Sequence, residues 1–248
     1  SDLLGLARNP RMLSFIADLP EERLRAVAKS GGTISAAALY EVVLAHWLEF
    51  EEHRTRDVAG SPGGLTRDEL WHAVTTLAVR LWESGEAQLA PADLVDVAAA
   101  LTELSEDESD AGARMSVGHT AYAIGSGSLL VRTDEGLFGF IHESVAEWLV
   151  ARHLAHHLKG LSLRPLSELT IEFLCDLAKG AELQAWAART LASPDAGVAA
   201  RANALKVTTR LRTAARTDLR GDLLRGEDLS HRDLSGVDLT GSDLTEAQ

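Results

Sequence analysis

Apolar residues recur at helical spacing along the first 216 residues of the chain, and short polar or glycine-rich segments separate these runs. This pattern predicts a mainly α chain. Two helix starts are marked by their polar residues. Ser35 or Thr33 precedes one long apolar stripe, and Thr66 with Glu69 has the spacing of a capping box, which opens a helix expected to end near Gly85.

The remaining helices are assigned on the same grounds. They are expected at residues 91–101, 112–125, 168–178, 181–192 and 194–215. Ser193 is expected to cap the last of them, with Pro194 in its first turn. The acidic stretch 105–112 has the composition of a solvated loop.

Two short apolar runs interrupt the helical pattern, at residues 129–131 and 137–141. The sequence 134–136 between them is an acidic pair followed by glycine, which is typical of the turn of a β-hairpin. The second strand is expected to stop at His142.

A helix is expected to follow this hairpin directly. Ser144 and Glu147 stand three residues apart, as a capping box requires, and an apolar stripe begins at Val145. The predicted order is therefore strand, turn, strand and helix, with His142 at the junction between strand and helix. A hairpin packed beside helices is typical of a winged helix.

From residue 219 the periodicity changes. Leucine recurs every five residues, at positions 219, 224, 229, 234, 239 and 244, and neither a helix nor a flat strand has that period. Aspartate precedes the leucine in five of these six units. The pattern is similar to that of the pentapeptide-repeat family, in which each pentad forms one side of a square, right-handed β-solenoid. The resemblance implies a short solenoid whose first coil is irregular, because Leu223 replaces the usual aspartate.

Composition narrows the class of protein. With 248 residues and 46% hydrophobic content, the chain is long enough for one or two packed domains and an appendage. Its apolar stretches are too short to predict a transmembrane span and no signal peptide is recognisable, so no contact with a membrane and a cytoplasmic location are expected. The net charge of −13 disfavours broad contact with nucleic-acid phosphates.

The strand-to-helix junction carries aromatic and polar residues in a recognisable order. These residues are Phe138, Phe140, His142, Glu147 and Trp148. The segment resembles the end of the winged-helix domain in NACHT-type STAND NTPases, a family of nucleotide-gated signalling switches.

The first residues extend this resemblance. Asn9 and Pro10 precede an apolar segment over 12–19, which looks like the helical segment that follows the NTPase core in the same family. In that family the proline packs against adenine and the winged-helix histidine reaches the β-phosphate of bound ADP, so the resemblance implies those roles for Pro10 and His142. The residues alone leave open that Pro10 simply starts a helix after Asn9, and that His142 is a packed or capping histidine.

One departure from the family limits what this chain does alone. It contains no phosphate loop of the form GxxxxGK[ST], so it is not expected to be an enzyme by itself, and ADP or ATP would be held by the NTPase core. No catalytic residue and no metal site are predicted. His153 and His157 stand at i and i+4, but two ligands do not make a metal site. The lone Cys175 lies among apolar residues and is interpreted as a core residue.

These patterns define an expected architecture. The fold is expected to be mainly α, a helical bundle with a winged-helix β-hairpin that ends in a short right-handed quadrilateral β-solenoid. The expected domains are the end of a first helical domain over 1–32, a winged-helix domain over 33–160, a second helical domain over 161–216 and pentapeptide repeats over 217–248. Because the repeat stops mid-pattern at Gln248 and Ser1 falls where an NTPase core would have ended, we expect a portion of a longer protein.

The expected role is that of a regulatory and sensor segment of a NACHT-type signalling NTPase, in bacterial defence or signalling. It would hold the ADP-bound state closed and relay sensing by the repeats to homo-oligomerisation. The partners implied are the NTPase core of the same protein, further copies of that protein and an unknown protein ligand at the repeats. The main alternative is a non-catalytic protein-interaction scaffold. A DNA-binding winged helix is disfavoured, because helix 112–125 contains only Arg114 among Lys and Arg residues.

Overall fold

The computed structural model of the chain describes residues 17, 19, 20, 22, 23, 25, 35–56, 64–104, 116–127, 129–217, 221, 225, 226 and 239–247. This part of the chain is mainly helical, with one two-stranded antiparallel sheet, and the prediction of a mainly α chain is confirmed. The helices are α1 Ala36–Arg56, α2 Arg67–Ser84, α3 Pro91–Leu104, α4 Val117–Gly127, α5 Glu143–His156, α6 Glu168–Leu177, α7 Gly180–Ala192 and α8 Val198–Thr217. The strands are β1 Leu130–Arg132 and β2 Phe138–Phe140, and a 3₁₀ turn, Leu158–Ser162, follows α5.

Polar side chains cap the starts of helices α1 and α2. The Ser35 hydroxyl accepts a hydrogen bond from the Ala38 N–H at 3.2 Å, which settles the choice between Ser35 and Thr33. Thr66 and Glu69 form the predicted capping box before α2, with each side chain bonded to the other residue's backbone N–H. Gly85 ends that helix with φ of 74°, a left-handed conformation that costs glycine little.

The hairpin is confirmed to within a residue at each end. Its register pairs Leu130 with Phe140 and Arg132 with Phe138, and Gly136 takes the positive φ of 84° that the turn requires. Leu89, in the connection between α2 and α3, exchanges two backbone hydrogen bonds with Phe138, at 2.7 and 2.9 Å. The segment after α2 therefore adds one paired residue to the edge of the sheet, which the sequence pattern did not predict.

Helix α5 lies at the centre of the helical body. It packs against α2 on one side and α6 on another, and it also contacts α1. Trp148, Leu149 and Ala151 are fully buried, so the apolar stripe predicted for this helix faces the core. The site described below sits at the N-terminal end of this buried helix.

The chain after α5 is fixed by one buried amide. Asn203 in α8 has no exposed surface, and its Nδ2 donates to the carbonyls of Leu161 and Arg164, both at 2.8 Å. Its Oδ1 accepts from the Leu166 N–H at 2.9 Å. Three hydrogen bonds satisfy this buried side chain and tie the connection between α5 and α6 to the last helix.

The start of the last helix differs from the prediction. Ser193 is the C-cap of α7, and α8 begins only at Val198. Residues 193–196 form a turn in which the Ala196 N–H donates to the Ser193 carbonyl at 3.4 Å, with Pro194 in the second position. The prediction that Ser193 caps this helix, with Pro194 in its first turn, is therefore wrong. Proline's fixed φ suits both a turn and a first helical residue, so the residue type alone does not distinguish them.

Several predictions lie outside the described residues. These are the contacts of Pro10, the loop over 105–112 and the greater part of the domains at 1–32 and 217–248. Within the described part of the tail, the Gly221 N–H donates to Thr240 O at 3.1 Å and the Gly226 N–H to Thr245 O at 2.9 Å. Among the residues that the structure describes, none of the helices combines the length and apolarity needed to span a bilayer.

Candidate functional site

His142 occupies the junction between β2 and α5, as the sequence predicts. The Ile141 N–H donates to Leu129 O at 2.8 Å, which closes the hairpin, and the Val145 N–H donates to His142 O at 3.0 Å, which opens the helix. His142 itself is extended, with φ of −156° and ψ of 143°, and its side chain is exposed. A strand end and a helix start therefore fix the backbone on both sides of the ring.

The N-cap of α5 is His142, and the predicted capping box of Ser144 and Glu147 is wrong. The His142 Nδ1 accepts from the Ser144 N–H at 3.2 Å, in the place of a serine or aspartate oxygen. The two residues of the predicted box are engaged elsewhere. The Ser144 hydroxyl lies 2.6 Å from His142 Nδ1, and the Glu147 carboxylate accepts from the hydroxyl of Ser167.

This cap favours one of the two neutral forms of the ring. A backbone N–H only donates, so the Nδ1 that it faces must present its lone pair, and the neutral ring then carries its proton on Nε2. Nε2 makes no hydrogen bond to any residue that the structure describes. The exposed ring therefore offers an N–H donor to a ligand.

A buried tyrosine from a distant part of the chain reaches the same site. The Tyr40 hydroxyl in α1 donates to Ser144 Oγ at 2.6 Å, across 104 residues of sequence. Tyr40 is 4% exposed, and its ring packs on Phe173 of α6 with centroids 4.9 Å apart. Burial raises the pKa of Tyr40 further above 10, so its hydroxyl is protonated at neutral pH and available as a donor.

A second hydrogen bond joins the same two helices. Trp148 Nε1 in α5 donates to the Ala37 carbonyl in α1 at 2.9 Å, and Trp148 is fully buried. Its ring lies 5.8 Å from that of Trp71 in α2, and the Arg152 guanidinium sits over the Trp71 ring at 4.7 Å. The start of α5 is thus held against α1 and α2 by buried aromatic side chains.

An acidic side chain lies one helical turn beyond His142. Burial raises the pKa of Glu147 above its ordinary 4.5 and the neighbouring Glu143 raises it further, while the hydrogen bond from Ser167 and the charge of His142 lower it. Together with the donor on His142, this end of α5 offers both a hydrogen-bond donor and a carboxylate acceptor.

The opposite end of α5 carries the other histidines that the sequence singled out. The rings of His153 and His157 stack with centroids 4.3 Å apart, and His157 Nδ1–H donates to the His153 carbonyl at 2.9 Å. A cavity of about 630 Å³ opens here, lined in part by His153, His156, His157, Lys159, Lys179 and Glu182. Over the described ranges, no three His, Cys, Asp or Glu side chains are grouped as a metal site would need.

Cys175 lies half-buried in α6 and packs against the core. Burial raises the pKa of its thiol to about 11, with the charges of Asp176 and Glu172 adding to this effect and that of Arg210 opposing it. The thiolate is the nucleophilic form, so this environment disfavours reaction of the thiol at neutral pH. Cys175 packs against the core from its edge, so the interpretation as a core residue holds in part.

Of the two predicted nucleotide contacts, the structure describes His142, while Pro10 lies outside the described residues. Sequence reasoning missed Tyr40, which no local spacing connects to the junction. It also gave Ser144 the wrong partner, although the position of Ser144 two residues after His142 is a local signal that a side-chain cap by the histidine would explain. Comparisons with protein-family models, with curated proteins and with solved structures found no match to the chain.

Proposed function

We propose that the chain is a regulatory and sensor segment of a NACHT-type signalling NTPase, in which His142 donates a hydrogen bond to a phosphate of ADP held by the NTPase core. The observation that carries the proposal is the His142 ring, exposed at a rigid strand-to-helix junction with its Nδ1 used by the helix cap and its Nε2–H available. A phosphate oxygen accepts such a bond well, and a donor of fixed direction favours one arrangement of the two domains. ADP would thereby stabilise the closed state.

The order of elements before His142 supports a winged-helix assignment. Helix α2 is followed by the paired residue Leu89, then by α3 and α4, and then by the hairpin of β1 and β2. Helix, strand, two helices and a hairpin is the order of a winged helix, with Leu89 as its shortest strand. Helix α4 has no Lys or Arg, which favours a protein or nucleotide partner over DNA.

The described residues of the tail support a repeat architecture for the sensor. The two hydrogen bonds from Gly221 to Thr240 and from Gly226 to Thr245 each span nineteen residues. The donors are one pentad apart, and so are the acceptors. A coil of four pentads contains about 20 residues, so bonds of this spacing are the ones that stacked neighbouring coils would make. Ligand binding at such repeats would be relayed to oligomerisation through α8, which precedes them.

The first test is the coding sequence before Ser1. A phosphate loop, followed by a strand that ends in paired acids, is expected within a few hundred residues. Absence of both would refute the proposal. If they are present, the protein that includes them is used to measure the rate at which bound ADP is released.

Two substitutions of His142 separate its two roles. In His142→Asn the amide oxygen replaces Nδ1 as the helix cap, but the Nε2–H is lost, and ADP release is expected to be about tenfold or more faster, since a hydrogen bond to a charged group contributes about 1.5–3 kcal/mol. His142→Gln keeps a longer-reaching donor and should retain ADP better than His142→Asn. His156→Asn, at an exposed position of the same helix, is the matched control. Equal release by His142→Asn and the control would count against the proposal.

The second candidate function is a non-catalytic protein-interaction scaffold. It is favoured by Val198 and Leu205, which stand seven residues apart on α8 and are 88% and 60% exposed. Substitution of both by lysine would abolish partner binding in a scaffold whether or not nucleotide is present. In the signalling NTPase, partner binding would instead depend on release of ADP.

A further inference from the structure

The polar groups behind His142 form a chain with a single consistent direction. We propose that Tyr40 and Ser144 are positioning residues, which hold the His142 ring as the Nε2–H tautomer and so restrict the ligand at this site to a hydrogen-bond acceptor. The identity of that acceptor as a nucleotide phosphate rests on the proposed function. The tautomer and its cause do not depend on the proposed function.

The direction of the hydrogen bonds between Tyr40, Ser144 and His142 follows from which group donates at each step. Ser144 N–H points at His142 Nδ1, which must therefore accept. The Ser144 hydroxyl, at 2.6 Å from the same nitrogen, can then only donate to it. Its oxygen remains as the acceptor for the Tyr40 hydroxyl, also at 2.6 Å. Each proton in the chain from Tyr40 through Ser144 to His142 is thus assigned.

The opposite tautomer leaves this chain unsatisfied. With a proton on Nδ1, the Ser144 N–H and the Nδ1–H would face each other, and Ser144 Oγ would receive two donors while its own proton lost an acceptor. Tyr40 and Ser144 are each 4% exposed, so water does not readily replace the lost partners. The buried partners Tyr40 and Ser144 therefore favour the tautomer in which Nε2 carries the proton.

The tautomer limits the chemistry of the ligand. A metal ion needs an unprotonated ring nitrogen, and the only such nitrogen, Nδ1, is already bonded to Ser144. Nε2–H instead suits an oxygen with a free lone pair, best a charged one such as phosphate or carboxylate. Tyr40 thus determines, from α1, what the exposed end of α5 can bind.

The tautomer is measured on the chain itself, without nucleotide. Isotope-labelled histidine and long-range proton–nitrogen correlation spectra, recorded at mildly alkaline pH where imidazole is neutral, report which nitrogen is protonated. The His142 signals are assigned by their loss in His142→Asn. In the unmodified chain we expect Nδ1 at the resonance limit of an unprotonated nitrogen.

Two variants test the cause of that tautomer. Ser144→Ala removes the hydroxyl but keeps the backbone donor, and Tyr40→Phe keeps the ring that packs on Phe173 but removes the first donor. Both should move the Nδ1 resonance away from its limit, toward the average of two exchanging tautomers, with the larger shift in Ser144→Ala. Tyr122→Phe, at a position 74% exposed, is the matched control and should leave it unchanged.

The results for this inference and for the proposed function are separable. A protonated Nδ1 in the unmodified chain, or unmoved signals in both folded variants, would overturn the positioning role whatever happens to ADP release. If the tautomer is Nε2–H and shifts as expected while His142→Asn retains ADP normally, the positioning role stands and the nucleotide proposal fails.

Discussion

The two ends of helix α5 both carry histidine, but the structure gives these rings opposite properties. At the N-terminal end, His142 Nδ1 accepts from the protein and the proton lies on Nε2. At the C-terminal end, His157 Nδ1–H donates to the carbonyl of His153, so its neutral ring presents a bare Nε2. One end therefore offers a donor and the other an acceptor.

The difference arises from where the hydrogen-bond partners come from. His157 bonds to a carbonyl of its own helix, four residues earlier, and its ring stacks on a neighbour near solvent. His142 is joined through Ser144 to a tyrosine 104 residues away in the sequence. A surface histidine that bonds only to its own helix can be substituted with little effect on the rest of the fold. A histidine joined to a buried side chain of another helix is oriented by the tertiary structure.

The largest expected effect comes from separating α5 from α1 at the N-terminal end. Trp148→Ala removes a fully buried ring and its hydrogen bond to Ala37 O, and the free energy of unfolding should fall by about 3–5 kcal/mol, as for other buried tryptophans. Urea denaturation measures this. The tautomer signal of His142 should also move toward the average of two forms, because Tyr40 and Ser144 lose their alignment.

Two further variants provide a comparison for the stability loss expected in Trp148→Ala. Trp148→Phe keeps most of the apolar volume but leaves the Ala37 carbonyl without its donor, and it should cost about 1–3 kcal/mol. Leu205→Ala, at a position 60% exposed, should change stability by less than about 0.5 kcal/mol. A loss for Trp148→Ala as small as that for Leu205→Ala would show that the contact between α1 and α5 does not hold this end of the helix.

The sequence predicted the features that depend on near neighbours. The Thr66 and Glu69 capping box, the Gly85 helix end and the turn at Gly136 each rest on residues within a few positions of one another. In each case the required backbone conformation or hydrogen bond is decided by the local residue types. Patterns of this length need no knowledge of the rest of the fold.

At the start of α5 and at the edge of the sheet, the predictions failed because the features depend on distant partners. Ser144 and Glu147 have capping-box spacing, but their side chains bond to Tyr40, which is buried, and to Ser167, which is exposed. Only the tertiary structure brings these two partners to the start of α5. The single-residue pairing of Leu89 was missed for the same reason, since one paired residue leaves no alternating pattern in the sequence. The position of His142 was predictable from the sequence, whereas the ring nitrogen that carries its proton was not.

The pH dependence of stability should have opposite signs at the two ends of α5. Burial raises the pKa of Glu147 above 4.5, so its contribution to stability is present below that pH and is lost as pH rises through the pKa of the folded state. Burial and the charge of His157 lower the pKa of His153 below 6.5, so its contribution is present above 6.5 and is lost as pH falls.

Unfolding by urea across the acid range tests both signs. Glu147→Gln should remove a decline in stability that begins above pH 4.5, and His153→Gln should remove a decline that begins below pH 6.5. The double variant should show both changes, because the two residues lie at opposite ends of the helix. If either single variant shifts the curve in the opposite direction, the assigned burial of that side chain is wrong.

The smallest expected effects come from removing one ring at each end. His142→Ala deletes the N-cap of α5 and should cost about 0.5–2 kcal/mol of unfolding free energy, in the range of other N-cap deletions. His157→Ala deletes a ring that bonds to its own helix at an exposed position, and it should cost less than about 0.5 kcal/mol. Measured side by side by urea denaturation, equal losses would contradict the difference between the two ends. A clear loss at His142 alone would show that its ring supports the start of α5, whereas the ring of His157 does not support the other end.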